Sequence, residues 1–173
     1  MTPKPQAVLG IAGWKNSGKT TLTERLIAEL VARGFTISTI KHAHHDAEID
    51  LPGTDTHRHR TAGAKEVLLT TGNRFALIHE LQGADEPPFE ELLAKLAPAS
   101  LVLVEGFKRV EIPKIEVRRL EARSREPLHP DDLNVFAIAA DHAVTDATIP
   151  VFGLNVITEI AGLITRRFGL VPR

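Results

Sequence analysis

The stretch Gly13-Trp14-Lys15-Asn16-Ser17-Gly18-Lys19-Thr20 constrains this chain more than any other. It satisfies the pattern G-x-x-x-x-G-K-[ST]. An apolar run, Ala7-Val8-Leu9-Gly10-Ile11-Ala12, precedes it and reads as a buried strand, and a segment of helical periodicity follows. Strand before and helix after are the context that gives the pattern its chemistry. Gly13 and Gly18 permit a tight turn in which several backbone N–H groups point at one anion. The helix opening near Thr20 adds its positive dipole end. Lys19 is placed to reach β- and γ-phosphates, and the Thr20 hydroxyl to ligate a phosphate-bound Mg²⁺. The expectation is a nucleotide-binding loop.

The rest of the chain is consistent with a scaffold for that loop. Its 173 residues suit a single domain, 1–173, with a core large enough to need no disulfide or structural metal. There is no cysteine, which excludes thiolate metal sites and cysteine nucleophiles. The formal net charge is −1, so no global field favours nucleic acid. Residues 1–6 lack the apolar core of a signal peptide, and no apolar run is long enough to span a bilayer. A soluble cytoplasmic protein without a membrane partner is the expectation.

In order, residues 20–33 read as a helix with Leu22, Leu26, Ile27, Leu30 and Val31 on one face and Gly34 as its stop. Residues 35–41 read as a second strand, completing a βαβ unit of a parallel sheet. A long polar stretch, 42–60, follows, with Thr54 or Asp55 as the cap of a short helix ending near Ala62-Gly63. Residues 66–71 and 74–81 flank Gly72-Asn73 and predict a hairpin attached to the parallel sheet. A helix is expected from Pro88 or Phe89 through Ala97. Leu101-Val102-Leu103-Val104 predicts a strand buried on both faces. Residues 107–126 are rich in both lysine/arginine and glutamate and read as a solvated face, with a further strand at 114–120. Strands at 135–140 and 149–154 and a closing helix at 156–168, with Ile157, Ile160, Ala161 and Ile164 on one face, complete the pattern. The fold class is α/β: a mostly parallel sheet flanked by helices, of the phosphate-loop NTPase-like kind, with an antiparallel hairpin added.

Three further places carry candidate chemistry. Glu105 ends the apolar strand 101–104, where a carboxylate can hold the metal or its water, and Gly106 lets a loop approach the γ-phosphate. Asp50 and Asp55 flank Pro52-Gly53, as Mg²⁺ or water partners or as turn and cap residues. Asp141 ends the strand 135–140, where guanine-binding folds of this kind place a carboxylate against the base. His42-Ala43-His44-His45-Asp46, with His57 and His59, holds five of the eight histidines, but its spacing matches no closed zinc pattern.

Several of these blocks together resemble the MobB family, GTP-binding adaptors of molybdopterin-guanine dinucleotide biosynthesis. Gly13 to Leu22, including Thr21, resembles that family's phosphate loop, with Trp14 where Tyr is common. Lys41-His42-Ala43-His44-His45-Asp46 is similar to its K-H-x-H-H-D, and Asp50-Leu51-Pro52-Gly53-Thr54-Asp55 to its D-x-P-G-x-D. Ala62-Gly63-Ala64 and Val104-Glu105-Gly106-Phe107-Lys108 resemble two more blocks. The resemblance implies GTP and Mg²⁺ bound at Gly13–Thr21, Glu105 and Asp141, slow hydrolysis involving Lys19, Glu105 and Asp50, and a homodimer. It also implies two partners, molybdopterin and the guanylyltransferase that joins GMP to it. A small-molecule kinase, with Arg58, Arg60 and residues 118–125 as a lid, and a metallochaperone using the histidine loop are the alternatives.

Overall fold

The computed structural model describes residues 6–43, 48–145 and 147–172. The elements in chain order are β1 (Ala7–Ala12), α1 (Lys19–Ala32), β2 (Ile37–Lys41), α2 (Asp55–Thr61), β3 (Glu66–Thr70) and β4 (Phe75–His79). Then come α3 (Phe89–Ala94), β5 (Leu101–Glu105), β6 (Lys114–Arg118), β7 (Val135–Ala140), β8 (Val151–Gly153) and α4 (Ile157–Phe168). They divide into two compact units, one built from both ends of the chain and the other from Ala43–Glu91.

The first unit carries a six-stranded sheet in the order β2-β5-β1-β6-β7-β8, parallel at every pairing. Side chains alternate between its faces. Leu9, Ile11, Leu103, Ile115 and Ala139 enter one core with Leu22, Leu26 and Leu30 of α1 and Ile160 and Ile164 of α4. The two helices pack together on that face. The expected apolar stripe of α4 is the buried set Ile157, Ile160, Ala161 and Ile164. The stripe of α1 is narrower than expected: Val31 is exposed, and Thr23 takes a buried place. Val102 and Val104, on the opposite face, are also fully buried, so β5 is covered on both sides as its unbroken apolar run predicts.

The register of β6 positions the phosphate loop. Gly10 stands level with Val104 of β5 on one side and with Lys114, the first residue of β6, on the other. β6 therefore starts where β5 is ending and runs on past the end of β1. Because of that offset, residues 106–113 need not return to the far edge of the sheet, and this parallel crossover has no helix. It also brings Val117 alongside Gly13: a Cβ on Gly13 would come within 2.5 Å of the Val117 carbonyl oxygen. Gly13 is required by that close approach as well as by its φ of +150°.

The charged stretch 107–126 is not simply a solvated face. Lys114, Glu116 and Arg118 alternate onto one face of β6, and Lys114 and Glu116 are buried. Lys114 Nζ donates to Asp132 Oδ2 at 2.7 Å. Glu116 accepts from the Leu128 and His129 backbone N–H groups and from Arg118. Arg118 also donates to the His129 carbonyl. The long β6–β7 connection is thus fastened over the sheet by a buried polar ladder, in which Arg118 Nε and His129 Nδ1 are left without a partner among the described residues.

In the second unit, β3 and β4 pair antiparallel through Gly72-Asn73, as expected, but among the described residues they form a two-stranded sheet of their own. The turn is made differently from the primed type that the dipeptide suggests. Neither residue has positive φ; the Thr71 hydroxyl accepts from the N–H groups of Asn73 and Arg74. In α2, Thr54 does occupy the N-cap, yet its hydroxyl donates to the Leu51 carbonyl and caps no helical N–H.

Candidate phosphate- and nucleotide-binding site

The phosphate loop lies at the carboxyl end of β1, where ligands of open parallel sheets gather. Asn16 and Gly18 both have left-handed φ, of 66° and 89°. Such alternation of backbone hand is what turns successive N–H groups into an anion-binding nest. Ser17, between them, is 1% exposed, and its hydroxyl has no hydrogen-bond partner among the described residues. Buried hydroxyls are normally satisfied, so an orphan inside an anion nest marks a place for ligand contact. The loop residues therefore fit a phosphate chain.

Lys19 opens α1, and its Nζ donates to the Trp14 carbonyl at 2.7 Å, closing the loop across its mouth. Its pKa is lowered, first by burial and then by Lys108 and Lys41, with Glu105 acting in the opposite sense. Three lysines and one carboxylate leave a surplus of positive charge, the complement of a polyphosphate. Glu105 sits at the end of β5, next to β1, and its Oε1 accepts from the Thr20 hydroxyl at 2.8 Å. Lys41 Nζ lies 3.5 Å from the same oxygen. Thr20 and Glu105, from opposite ends of the motif pattern, are thus brought together as a hydroxyl–carboxylate pair. Hard oxygen donors of this kind suit Mg²⁺.

Trp14 finds partners that its local sequence does not contain. Lys108 Nζ stands 3.8 Å from the ring centroid, and the indole N–H donates to the Glu126 carbonyl at 2.6 Å. The Arg123 N–H donates to the Lys15 carbonyl at 2.9 Å. The β6–β7 connection is therefore tied to the phosphate loop at two places, and Trp14 is half-buried within its own chain. Thr21 lines a pocket beside the loop with Gly18 and Asp141.

Gly106 has a φ of +101°, and a Cβ there would come within 2.8 Å of the His42 Cβ. Its close neighbour is thus the chain leaving β2, where His42 stacks on Phe107 with centroids 4.7 Å apart. His44, His45 and Asp46, the heart of the candidate metal stretch, lie outside the described residues. Among the described residues there is no group of three or more His, Asp or Glu that could hold a metal ion. Asp50 is found in the second unit, bound by Arg60, which also holds Glu80 and Glu48. The Arg60 guanidinium holds the Asp50 carboxyl below the usual carboxylate range. Asp141 Oδ1 accepts from the Leu120 N–H and from His142 Nδ1, and the His142 contact holds its carboxyl below the usual range.

Residues 8–141 match the family model described as molybdopterin guanine dinucleotide synthesis protein B, MobB. The chain is 40% identical over 161 residues to the molybdopterin-guanine dinucleotide biosynthesis adapter protein of Haemophilus influenzae, covering 91% of this chain and 86% of that protein. It is 39% identical over 136 residues to the Escherichia coli protein of the same name, covering 78% of each. Among solved structures, Bacillus subtilis MobB superposes with a TM-score of 0.72 at 23% identity, covering 96% of this chain and 99% of that one. A MobB homologue from Bacillus stearothermophilus gives 0.67 at 25% identity, covering 94% and 97%.

Proposed function

The chain belongs to the MobB family, and from that premise we propose that it is a GTP-binding adapter that assists the guanylyltransferase joining GMP to molybdopterin. Its part in molybdopterin-guanine dinucleotide biosynthesis rests on the family. The GTP-binding part rests above all on the Thr20–Glu105 pair beside the Gly13–Thr20 nest. In this reading the backbone from Trp14 to Thr21 and the Lys19 ammonium hold the phosphates. Thr20 and Glu105 hold Mg²⁺, which when bound neutralises phosphate charge. Asp141 faces the base. Asp50, engaged by Arg60, helps keep the second unit in order, and a carboxylate so paired is a weak base.

Hydrolysis in this account is slow and needs no acceptor. The arginines that a kinase lid would use are largely spent: Arg60 on three carboxylates, Arg118 on Glu116 and the His129 carbonyl, Arg125 on the Leu120 carbonyl. The active form is a homodimer. Leu68, Leu69, Phe75 and Leu77 on the β3–β4 hairpin are half or more exposed, and an isolated two-stranded ribbon is marginal in water. A second copy would cover that surface. Among the described residues no helix is long and apolar enough to cross a membrane.

Reconstitution tests the reading. Adding the protein and GTP–Mg²⁺ to a guanylyltransferase and molybdopterin is expected to raise the yield of the dinucleotide. An unchanged yield, or GTP turnover that requires a small-molecule phosphate acceptor, would contradict it.

A further inference from the structure

A pocket of about 300 Å³ opens beside the phosphate loop, lined by Gly18, Thr21, Arg25, Arg119, Asp141 and Asn155 among others. It gathers the residues that follow β6, β7 and β8 against the first turns of α1. A nucleotide whose phosphates lie in the Gly13–Thr20 nest can extend past Gly18 into this pocket.

Asn155 is the group there that the sequence does not single out. Arg25 NH1 donates to Asn155 Oδ1 at 2.8 Å and to the Leu154 carbonyl at 3.2 Å. A guanidinium can only donate, so the amide oxygen must face Arg25. The amide nitrogen is then left as the group that can meet a ligand, and it is a donor in a fixed place. The same pocket holds Asp141, which can only accept. Guanine carries acceptors at O6 and N7, whereas adenine carries a donating amine at the position of O6. A fixed donor therefore welcomes the guanine edge and opposes the adenine amine.

We propose that Asn155 is a specificity-determining residue that donates to the O6 edge of a bound guanine nucleotide, and that Arg25 is a positioning residue acting through it. The proposal rests on the GTP-binding reading above. It adds a second reader to Asp141, on the opposite side of the hydrogen-bond code.

Binding of GTP–Mg²⁺ and ATP–Mg²⁺ to the full chain and its variants, measured by calorimetry, tests it. Asn155 is exposed, so its variants should fold, which circular dichroism verifies. Asn155→Ala should lose about tenfold in GTP affinity, the worth of one hydrogen bond, with ATP binding unchanged. Asn155→Asp replaces the donor by an acceptor and should narrow the GTP/ATP preference further. Arg25→Ala frees the amide to rotate and should also lower the preference, an effect that a merely structural residue, weakening both nucleotides alike, would not give. If the wild type prefers GTP and the preference survives in both Asn155 variants, this inference fails while GTP binding stands. If the wild type binds neither nucleotide, both readings fall.

Discussion

Glu105 and Thr20 are 85 residues apart in sequence and 2.8 Å apart in the fold. A neutral amide is nearly the size of a carboxylate but a poorer partner for Mg²⁺. Glu105→Gln is therefore expected to abolish Mg²⁺-dependent GTP hydrolysis while weakening GTP binding far less; equal rates in mutant and wild type would reduce Glu105 to a strand-end residue. Trp14 offers an optical report from the same place. Its indole is held between Lys108 and the Glu126 carbonyl, so ordering of the loop by GTP–Mg²⁺ should change its fluorescence saturably. Lys108→Ala, which removes a contact worth about 0.5–1 kcal/mol, should shift the emission before nucleotide is added. The strand–loop–helix setting of Gly13–Thr20 and the strand-end place of Glu105 were legible because residue type and local spacing set them. The setting of Trp14 and the donor role of Asn155 were not, because each depends on a partner more than a hundred residues away.

At the scale of elements, β6 and its long connection carry the most exposed prediction. Glu116 is 1% exposed and holds two backbone N–H groups and Arg118. Glu116→Ala leaves two amides without their acceptor and the Arg118 guanidinium with only the His129 carbonyl, and should cost about 3 kcal/mol or more in urea unfolding. A loss under about 1 kcal/mol would mean that water satisfies them equally well. Asp132 adds a pH dependence. Burial alone would raise its pKa, but the Lys114 ammonium and the Asn134 contacts outweigh burial and hold it below 3.8. Its contribution to stability is thus fully present above 3.8 and is lost as pH falls through the lower, folded-state value. Acid unfolding of Asp132→Asn should be correspondingly less steep; an unaltered acid transition would contradict the assignment. The strands were legible as apolar runs: β1 and β7 have the expected bounds, β5 runs on to Glu105, and β2, β3, β4, β6 and β8 are shorter by a residue or two at one end or both. β6 was found as a strand, yet its charged residues read as solvated, because an alternation of Lys, Glu and Arg looks like surface until a loop is seen to fold over it.

For the whole molecule, the apolar hairpin and the nucleotide site set two tests. If a second copy covers the hairpin, Phe75→Asp with Leu77→Asp should convert a sedimenting dimer to monomer while the parallel-sheet unit keeps its circular dichroism; an unchanged dimer would place the interface elsewhere. The parallel topology and the added hairpin followed from the order of apolar runs and one turn dipeptide. The separation of the hairpin into its own sheet did not, since pairing partners are chosen in three dimensions. Lys19, whose ammonium closes the loop on the Trp14 carbonyl, is the residue on which the proposed phosphate binding most depends. Calorimetric titration of GTP–Mg²⁺ into wild type and Lys19→Ala tests it most directly. Wild type should bind one GTP per chain, and the folded variant should bind at least about tenfold more weakly, as loss of a charge-assisted hydrogen bond requires; a folded Lys19→Ala that binds GTP as tightly as wild type would contradict the account.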